Sequence, residues 1–235
     1  MKVREMEQEL NTALDRLRIA VSTSPQLTDD LQMLQTKLVQ FESTRDQLRT
    51  GYEALMKLAR SEALGKGQLE VALREITEVA AQVLRVARTS IWLYNTDQTS
   101  IQCIELFLTA ERGHEAGVEL FAKDFPSYFR ALTLERTIAA HDANTDSRTA
   151  EFSEVYLKPL GITSMLDAPI RVGGQMIGVT CNEHVGAARE WSADEQQFAG
   201  SLADFVALAI EGSRRSEAEE QLRRLVEALE ANQSS

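Results

Sequence analysis

The sequence is poor in cysteine and in positive charge, and it has no long apolar run. Its two cysteines, Cys103 and Cys181, are too few for a disulfide framework and form no zinc-binding pattern. Acidic side chains outnumber basic ones by 36 to 25, and the formal net charge is -11. This charge argues against a nucleic-acid-binding surface and against an anionic membrane surface as a partner, because phosphate groups would be repelled.

Signals for membrane insertion or export are also missing from the sequence. No apolar run approaches the roughly 20 residues that cross a bilayer. The first ten residues, MKVREMEQEL, carry charges but no apolar core, so we do not expect a signal peptide. Hydrophobic residues make up 43% and charged residues 26%, which is the balance of a globular protein. We therefore expect a cytoplasmic protein.

The first part of the chain has the heptad spacing of helices that pair. Apolar residues recur at alternating three- and four-residue steps over residues 3–20 and, after a break at Pro25, over residues 27–59. Arg45 is the one polar position of the second seam. A helix with such a stripe buries it against a partner, either in an intramolecular hairpin or in a dimeric bundle. The length of the second seam favours a parallel homodimer, because the first helix spans only about half of it.

Beyond GKG at residues 65–67, helical and strand periods alternate. Apolar spacing predicts an amphipathic helix over residues 67–87. Two runs rich in branched and aromatic residues, 89–95 and 100–107, flank the turn TDQT and predict a hairpin. Further short elements are strands at 118–121 and 136–141 and helices at 123–134 and 153–160.

The last third of the chain predicts a second hairpin and a long helix. Residues 164–172 and 175–184 are strand-like and flank a Gly-Gly turn. Ser192 and Glu195 have the spacing of a capping box, so the last helix should begin there. Antiparallel hairpins with helices grouped around one sheet predict an α+β fold.

Three parts of this sequence resemble the GAF family of regulatory domains, over roughly residues 61–212. The most specific runs are ITSMLDAPI, IGVTC and REWSADEQQFA. They are similar to GAF modules of bacterial sensor histidine kinases and cyclic-di-GMP signalling proteins. The resemblance implies an antiparallel sheet of five or six strands with helices on both faces and a small-molecule pocket on one face. Residues 1–60 would then form an N-terminal coiled-coil-type region, and residues 213–235 a C-terminal signalling helix.

The resemblance also bears on the ligand. The bilin-attachment position of phytochromes and cyanobacteriochromes falls at residues 152–153, where no cysteine occurs. Their motif GxxxAHxxxxPRxW is similar to GVTCNEHVGAAREW, in which Arg189 and Trp191 match and Glu183 replaces the pocket histidine. Asp142 corresponds to their buried aspartate. A covalent bilin is therefore not expected, and the missing Asn-Lys pair of cyclic-nucleotide GAF modules argues against that ligand.

Catalytic or metal chemistry could in principle use the polar stretch HDANTDSRTAEF, residues 141–152. Catalysis is not expected, because the sequence has no serine elbow, no Cys-His-Asn set and no phosphate-cradling glycine loop. Haem or a metal stays open as an alternative, with His141 and Asp142 beside Cys181 and His184 as donors. Neighbouring residues of a strand point to opposite faces, however, which separates the members of each pair.

The same stretch also suits local capping or ligand recognition. Asp142 and Asp146 would cap a helix that starts near Arg148, with the guanidinium bonded locally. Alternatively, this helix start would recognise a polar or anionic ligand. Capping and recognition can coexist.

Strand alternation adds further candidates for the pocket. Cys181 and Glu183 share one face of a predicted strand, and Met165 and Asp167 share one face of another. If Glu183 faces the pocket it needs a partner, and Arg189 is the nearest cationic candidate; otherwise it lies solvated at an exposed strand end. The ligand-binding candidates are Tyr128, His141, Asp142, Asp146, Arg148, Met165, Asp167, Cys181, Glu183, Arg189 and Trp191.

Output motifs are missing from the sequence. No GGDEF or EAL signature occurs, and His114 lies in RGHEAG, which we expect to be a loop rather than a phosphoacceptor helix. The sequence predicts a non-catalytic sensory module of bacterial signal transduction that binds a small molecule and relays a signal through dimeric helices to an output domain or partner. The alternatives are a structural dimerisation module with a vestigial pocket and a haem- or metal-dependent redox sensor.

Overall fold

The structure is a computed structural model and describes residues 25–233 together with Thr12. The predicted seam over residues 3–20 lies outside the described residues apart from Thr12. Helix α1 (Pro25–Leu58) carries the second seam. Large apolar side chains are exposed along it; these are Met33, Leu34, Leu38, Val39, Phe41, Leu48, Tyr52 and Met56. The heptad pattern therefore leaves an apolar stripe on the surface of α1.

The chain divides into two units, residues 1–49 and 50–235, and the second contains one sheet. The strands are β1 (Arg88–Tyr94), β2 (Ser100–Leu108), β3 (Gly113–Glu115), β4 (Glu119–Phe121), β5 (Ile138–Ala140), β6 (Ile162–Val172) and β7 (Gln175–Val185). All pairings are antiparallel in the order β3-β2-β1-β7-β6-β5, and β4 also pairs with β2. The predicted antiparallel α+β fold is confirmed.

Helices flank this sheet in the same unit. They are α2 (Glu62–Gly65), α3 (Leu69–Leu84), α4 (Pro126–Leu134), α5 (Lys158–Leu160) and α6 (Ala193–Gln233), with 3-10 turns at Ala122–Asp124 and Ala150–Phe152 and a π turn at Ser153–Leu157. The predicted capping box is present, because Glu195 N donates to Ser192 Oγ at 3.1 Å and Ser192 N donates to the Glu195 carboxylate at 2.9 Å. Within the described part of the chain, no helix combines the length and apolarity needed to span a bilayer.

Alternation along the strands gives the sheet two buried faces. On β6, Leu166 and Ala168 belong to the core formed with α3 and α6, whereas Met165 belongs to a second core on the opposite face. This second core has strand residues beneath residues of α4 and the turns that follow β5. Its members include Trp92, Ile101, Cys103, Val179, Cys181, Phe125, Tyr128, Phe129, Leu132, Phe152 and Leu157. The resemblance implied a pocket on one such face.

One predicted loop is wrong. His114 lies in β3, where it is opposite Phe107 of β2, and not in a loop. Its Nδ1 atom is 2.5 Å from a carboxylate oxygen of Glu105, which is buried. Gly113 and Gly117 suggested a loop, but pairing with the edge of β2 supplies backbone hydrogen bonds that local composition does not reveal.

Candidate functional site

Buried polar side chains lie in a row across three strands, on the face covered by α4. Asp167 of β6 is directly opposite Cys181 of β7, and Cys181 is opposite Ser90 of β1. One step along the sheet, Glu183 is opposite both Met165 and Arg88. Side chains that are opposite each other in antiparallel strands share a face and touch. With two tyrosines from above, they form what we call the Asp167 cluster: Arg88, Tyr128, Tyr156, Asp167, Cys181 and Glu183.

Asp167 has an incomplete set of hydrogen bonds. Its side chain is fully buried, and Oδ2 accepts a hydrogen bond from the Tyr128 hydroxyl at 2.6 Å. Oδ1 is also buried but has no hydrogen-bond partner, and it is the only such side-chain atom among the described residues. Burial raises the pKa of the carboxyl from 3.8 to about 7, although the Tyr128 hydrogen bond acts in the opposite direction. Asp167 is therefore a buried acceptor that can gain a donor.

Glu183 is paired differently from the sequence-based expectation. It is 2% exposed, which rules out a solvated strand end, and its carboxylate accepts a hydrogen bond from Arg88 Nε at 2.8 Å. Tyr156 also bonds to this carboxylate. The predicted partner Arg189 is wrong, because its guanidinium donates to the Leu84 carbonyl and to Glu195 instead. Arg88 is the partner of Glu183 because it is the first residue of the neighbouring strand β1 and lies directly opposite Glu183.

Aromatic rings cover the cluster. The Tyr128 ring meets Phe152 edge to face, with centroids 4.9 Å apart, and Phe152 stacks on Phe125 at 4.1 Å. On the sheet side, Trp92 Nε1 donates to the buried Ser90 hydroxyl at 2.8 Å. The polar cluster is thus enclosed by flat apolar surfaces, which is the usual composition of small-molecule sites.

The polar side chains of residues 141–152 bond locally, within the turn after β5, and do not belong to the Asp167 cluster. Asp142 accepts from Asn144 N at 3.1 Å, and Asp146 accepts from Arg148 N at 2.9 Å, so both aspartates cap backbone N–H groups. The Arg148 guanidinium also donates to Asp146, to Glu135 and to the Ala139 carbonyl. Its hydrogen bond to Asp146 lowers the pKa of that carboxyl. The predicted local bonding of Arg148 is therefore present, but the two aspartates close turns rather than cap a helix, because the 3-10 turn that follows begins after Thr149 and has no side-chain cap.

Three more candidates form a junction at the start of α6. Trp191 N donates to His141 Nδ1 at 3.0 Å, and the Arg189 guanidinium lies 4.3 Å from the centroid of the Trp191 ring. Ser164 Oγ accepts from Arg189 N and donates to the His141 carbonyl. The structure therefore brings together Tyr128, Met165, Asp167, Cys181 and Glu183 and places the other candidates elsewhere.

The metal donors considered from the sequence are likewise separated. His141 and Asp142 are exposed, whereas Cys181 is buried. Across the described residues, no group of three His, Cys, Asp or Glu side chains is arranged to hold a metal ion. Burial, followed by the negative charge of Asp167, keeps the pKa of the Cys181 thiol well above its usual range. A thiol of this kind is a weak nucleophile and a poor metal ligand.

Two members of the cluster, Arg88 and Tyr156, are not among the candidates predicted from the sequence. Arg88 is the first residue of β1, and strand alternation places it on the same face as Ser90 and Trp92, which is a usable signal. Tyr156 comes from the π turn, whose geometry has no sequence pattern of that kind. Its hydroxyl interacts with both Glu183 and Arg88.

Comparison with known families agrees with this architecture. A sequence model of the GAF domain matches residues 68–210, which is more than half of the chain. The chain belongs to the GAF domain family. GAF domains are generally non-catalytic sensory or regulatory modules of signalling proteins. The resemblance noted in the sequence is thereby confirmed. No curated protein sequence matches this GAF chain.

Solved structures share the GAF fold. The GAF domain of an Acinetobacter phosphoenolpyruvate-protein phosphotransferase has a TM-score of 0.55 and 16% identity, over 72% of this chain and 95% of that one. The phycoerythrobilin-bound GAF domain of a cyanobacterial phytochrome has a TM-score of 0.59 and 21% identity, over 71% and 97%. A fragment of a methyl-accepting chemotaxis protein has a TM-score of 0.52 and 23% identity, over 67% of this chain and 94% of that one. At these identities the similarity concerns the fold alone.

Proposed function

We propose that this GAF domain is a bacterial sensory module that binds a small molecule at the Asp167 cluster. Its flanking helices pair in a homodimer and relay occupancy to an output domain or partner protein. The observation that carries the proposal is the unpartnered, fully buried Oδ1 atom of Asp167. Leaving a buried acceptor unsatisfied costs about 1–3 kcal/mol, so a ligand that donates a hydrogen bond there recovers that energy.

Protonation states in the cluster support binding rather than catalysis. Burial raises the pKa of the Tyr128 hydroxyl and of the Cys181 thiol well above their usual ranges, and the Asp167 charge adds to both effects. Both groups therefore stay protonated near neutral pH and do not supply a nucleophile.

The residues present do not fit a covalently attached bilin. Phe152 and Ser153 occupy the attachment position inferred from the resemblance, and Phe152 is buried against Phe125 and Tyr128. The ligand we propose is therefore held without a covalent bond.

A route for the relay starts at the roof of the cluster. Arg148, which fixes the turn after β5, donates to Glu135 at 2.6 Å. The next residue, Arg136, donates to Asp204 at 2.6 Å and to the Gly200 carbonyl at 3.0 Å, and both acceptors belong to α6. Displacement of α4 and its flanking turns by a ligand would pull on this helix, which favours one helix arrangement over another.

The test is a thermal-shift screen of the full chain against a library of small molecules, repeated with Asp167→Asn. We expect hits that raise the melting temperature of the wild type and act more weakly on the variant. Asp97→Asn is the matched control, because it makes the same change at an exposed turn residue that belongs neither to the cluster nor to the proposed relay route. If no compound raises the melting temperature, or if the rise is the same for wild type and Asp167→Asn, the result would instead support a structural dimerisation module with a vestigial pocket.

A further inference from the structure

We infer that the Asp167 cluster selects ligands that carry an N–H donor, preferably in a flat cationic group such as an amidinium, and rejects carboxylates and phosphates. The inference rests on the proposed function and specifies the chemical class of its ligand. It depends on which hydrogen-bonding capacities of the cluster are already used, on the net charge, and on the shape of the covering surfaces.

The hydroxyl donor that faces Asp167 is committed, whereas one acceptor atom of Asp167 is free. The Tyr128 hydroxyl donates to Asp167 Oδ2, and Arg88 Nε donates to Glu183. The Cys181 thiol and the backbone N–H of Asn182 also interact with the carboxyl of Asp167, but neither forms a hydrogen bond with Oδ1. Asp167 Oδ1 is left as the buried acceptor without a partner. A ligand completes this arrangement by donating a hydrogen bond, not by accepting one.

The net charge of the cluster also favours a ligand that donates hydrogen bonds, and a cation in particular. The cluster contains two buried carboxyl groups, Asp167 and Glu183, and one guanidinium, Arg88, which is already paired with Glu183 at 2.8 Å. With both carboxyl groups ionised, the cluster carries a net charge of -1. An anionic ligand would add a second uncompensated charge to a desolvated site, whereas a cation would pair with Asp167.

The shape of the surrounding side chains restricts the class of ligand further, to flat groups. The rings of Tyr128, Phe152 and Trp92 and the thioether of Met165 border the cluster. Flat groups stack well against such surfaces, and a planar fork of N–H donors matches the geometry of a carboxylate. Benzamidine combines a flat ring with such a fork, and benzoate is its anionic counterpart of nearly the same shape. The two compounds are therefore suitable probes.

Proton linkage gives the inference a measurable signature. The pKa of Asp167 is about 7, and the groups facing it are Tyr128, Cys181 and Glu183, with Arg88 paired to the last. Benzamidine stays cationic in this range and needs the ionised carboxylate, so its binding releases the Asp167 proton. Its affinity should therefore rise about tenfold between pH 6 and pH 8, as the ionised fraction rises.

Calorimetric titration of the full chain with each probe tests the inference. We expect benzamidine to bind with the tenfold rise from pH 6 to pH 8, and benzoate to bind at least tenfold more weakly at pH 8. Asp167→Asn should weaken benzamidine binding at least tenfold and remove the pH dependence. Asp97→Asn, in the exposed turn between β1 and β2, should behave as the wild type. The pH dependence of the wild type alone still decides the matter if Asp167→Asn does not fold.

Contrary outcomes separate the inference from the proposed function. Failure of benzamidine to bind, equal binding of benzoate, or a pH-independent benzamidine affinity would overturn the N–H donor selectivity. The sensory function would survive these results if the library screen still gave hits that depend on Asp167. If the screen gave no such hits, the sensory function would fail as well.

Discussion

At the scale of single residues, Asp167 has a cost that the rest of the fold must offset. A carboxyl group inside a sheet loses its hydration, and here only one of its oxygens recovers a hydrogen bond. Glu183 lies on the same strand face as Cys181 and is equally buried, but Arg88 and Tyr156 satisfy it. This difference between the two carboxyl groups is the reason why we propose that Asp167, and not Glu183, contacts a ligand.

The raised pKa of Asp167 leads to the first prediction, which concerns the pH dependence of stability. The pKa is about 7 in the folded chain and near 3.8 when the chain is unfolded. Between these values the folded state holds a proton that the unfolded state releases, so stability falls as the pH rises. Relative to Asp167→Asn, the wild type should lose about 3 kcal/mol between pH 5 and pH 8. Urea unfolding of both proteins at the two pH values measures this loss, and parallel pH profiles would contradict it.

Sequence patterns located several of these residues but not their partners. Strand alternation placed Met165 with Asp167 and Cys181 with Glu183, because the period of a strand is fixed by the backbone. The partner of Glu183 depends on which strand lies beside β7, and that strand starts with Arg88, far away in the sequence. Sequence proximity pointed to Arg189 instead. Pairing between distant strands is therefore the information that local patterns lack.

At the scale of elements, helices were predicted best where a cap or a long amphipathic stripe marks them. The Ser192–Glu195 box located the start of α6. The short helix predicted for residues 153–160 is also present, as a π turn followed directly by α5. Strand β3 has only three residues and was missed, because its stability comes from the edge of β2 rather than from its own sequence.

The close approach of β1 and β7 gives the second prediction. A Cβ atom at Gly178 would lie 2.0 Å from the Trp92 carbonyl oxygen, so Gly178→Ala cannot be accommodated without moving the strand backbone. We expect destabilisation of more than about 2 kcal/mol in chemical unfolding. Gly65→Ala is the matched control, because its Cβ would meet nothing within 4 Å, and it should change stability by less than about 1 kcal/mol. Similar effects of both substitutions would contradict the strand pairing.

At the scale of the whole molecule, apolar stripes are exposed on the helices at both ends of the described chain. On α6, Leu222, Leu225, Val226 and Leu229 are all at least 45% exposed, well beyond the last buried core residues. On α1, Phe41 and Leu48 are 68% and 49% exposed. Such stripes cost free energy in water and are covered in helical dimers. A relay from the Asp167 cluster to a partner protein would use the same surfaces.

These stripes lead to the third prediction, that the protein is a parallel homodimer held through its flanking helices. Phe41 and Leu48 lie on the heptad seam, so replacing both by Glu would place like charges face to face in a desolvated interface. Light scattering should show that the double variant is monomeric, and circular dichroism should show that its sheet is retained. Gln32→Glu with Gln47→Glu adds the same charge off the seam and should leave the dimer intact. A wild type that is monomeric at high micromolar concentration would favour an intramolecular hairpin between the helices predicted for residues 3–20 and 27–59. The relay would then have to act within one chain.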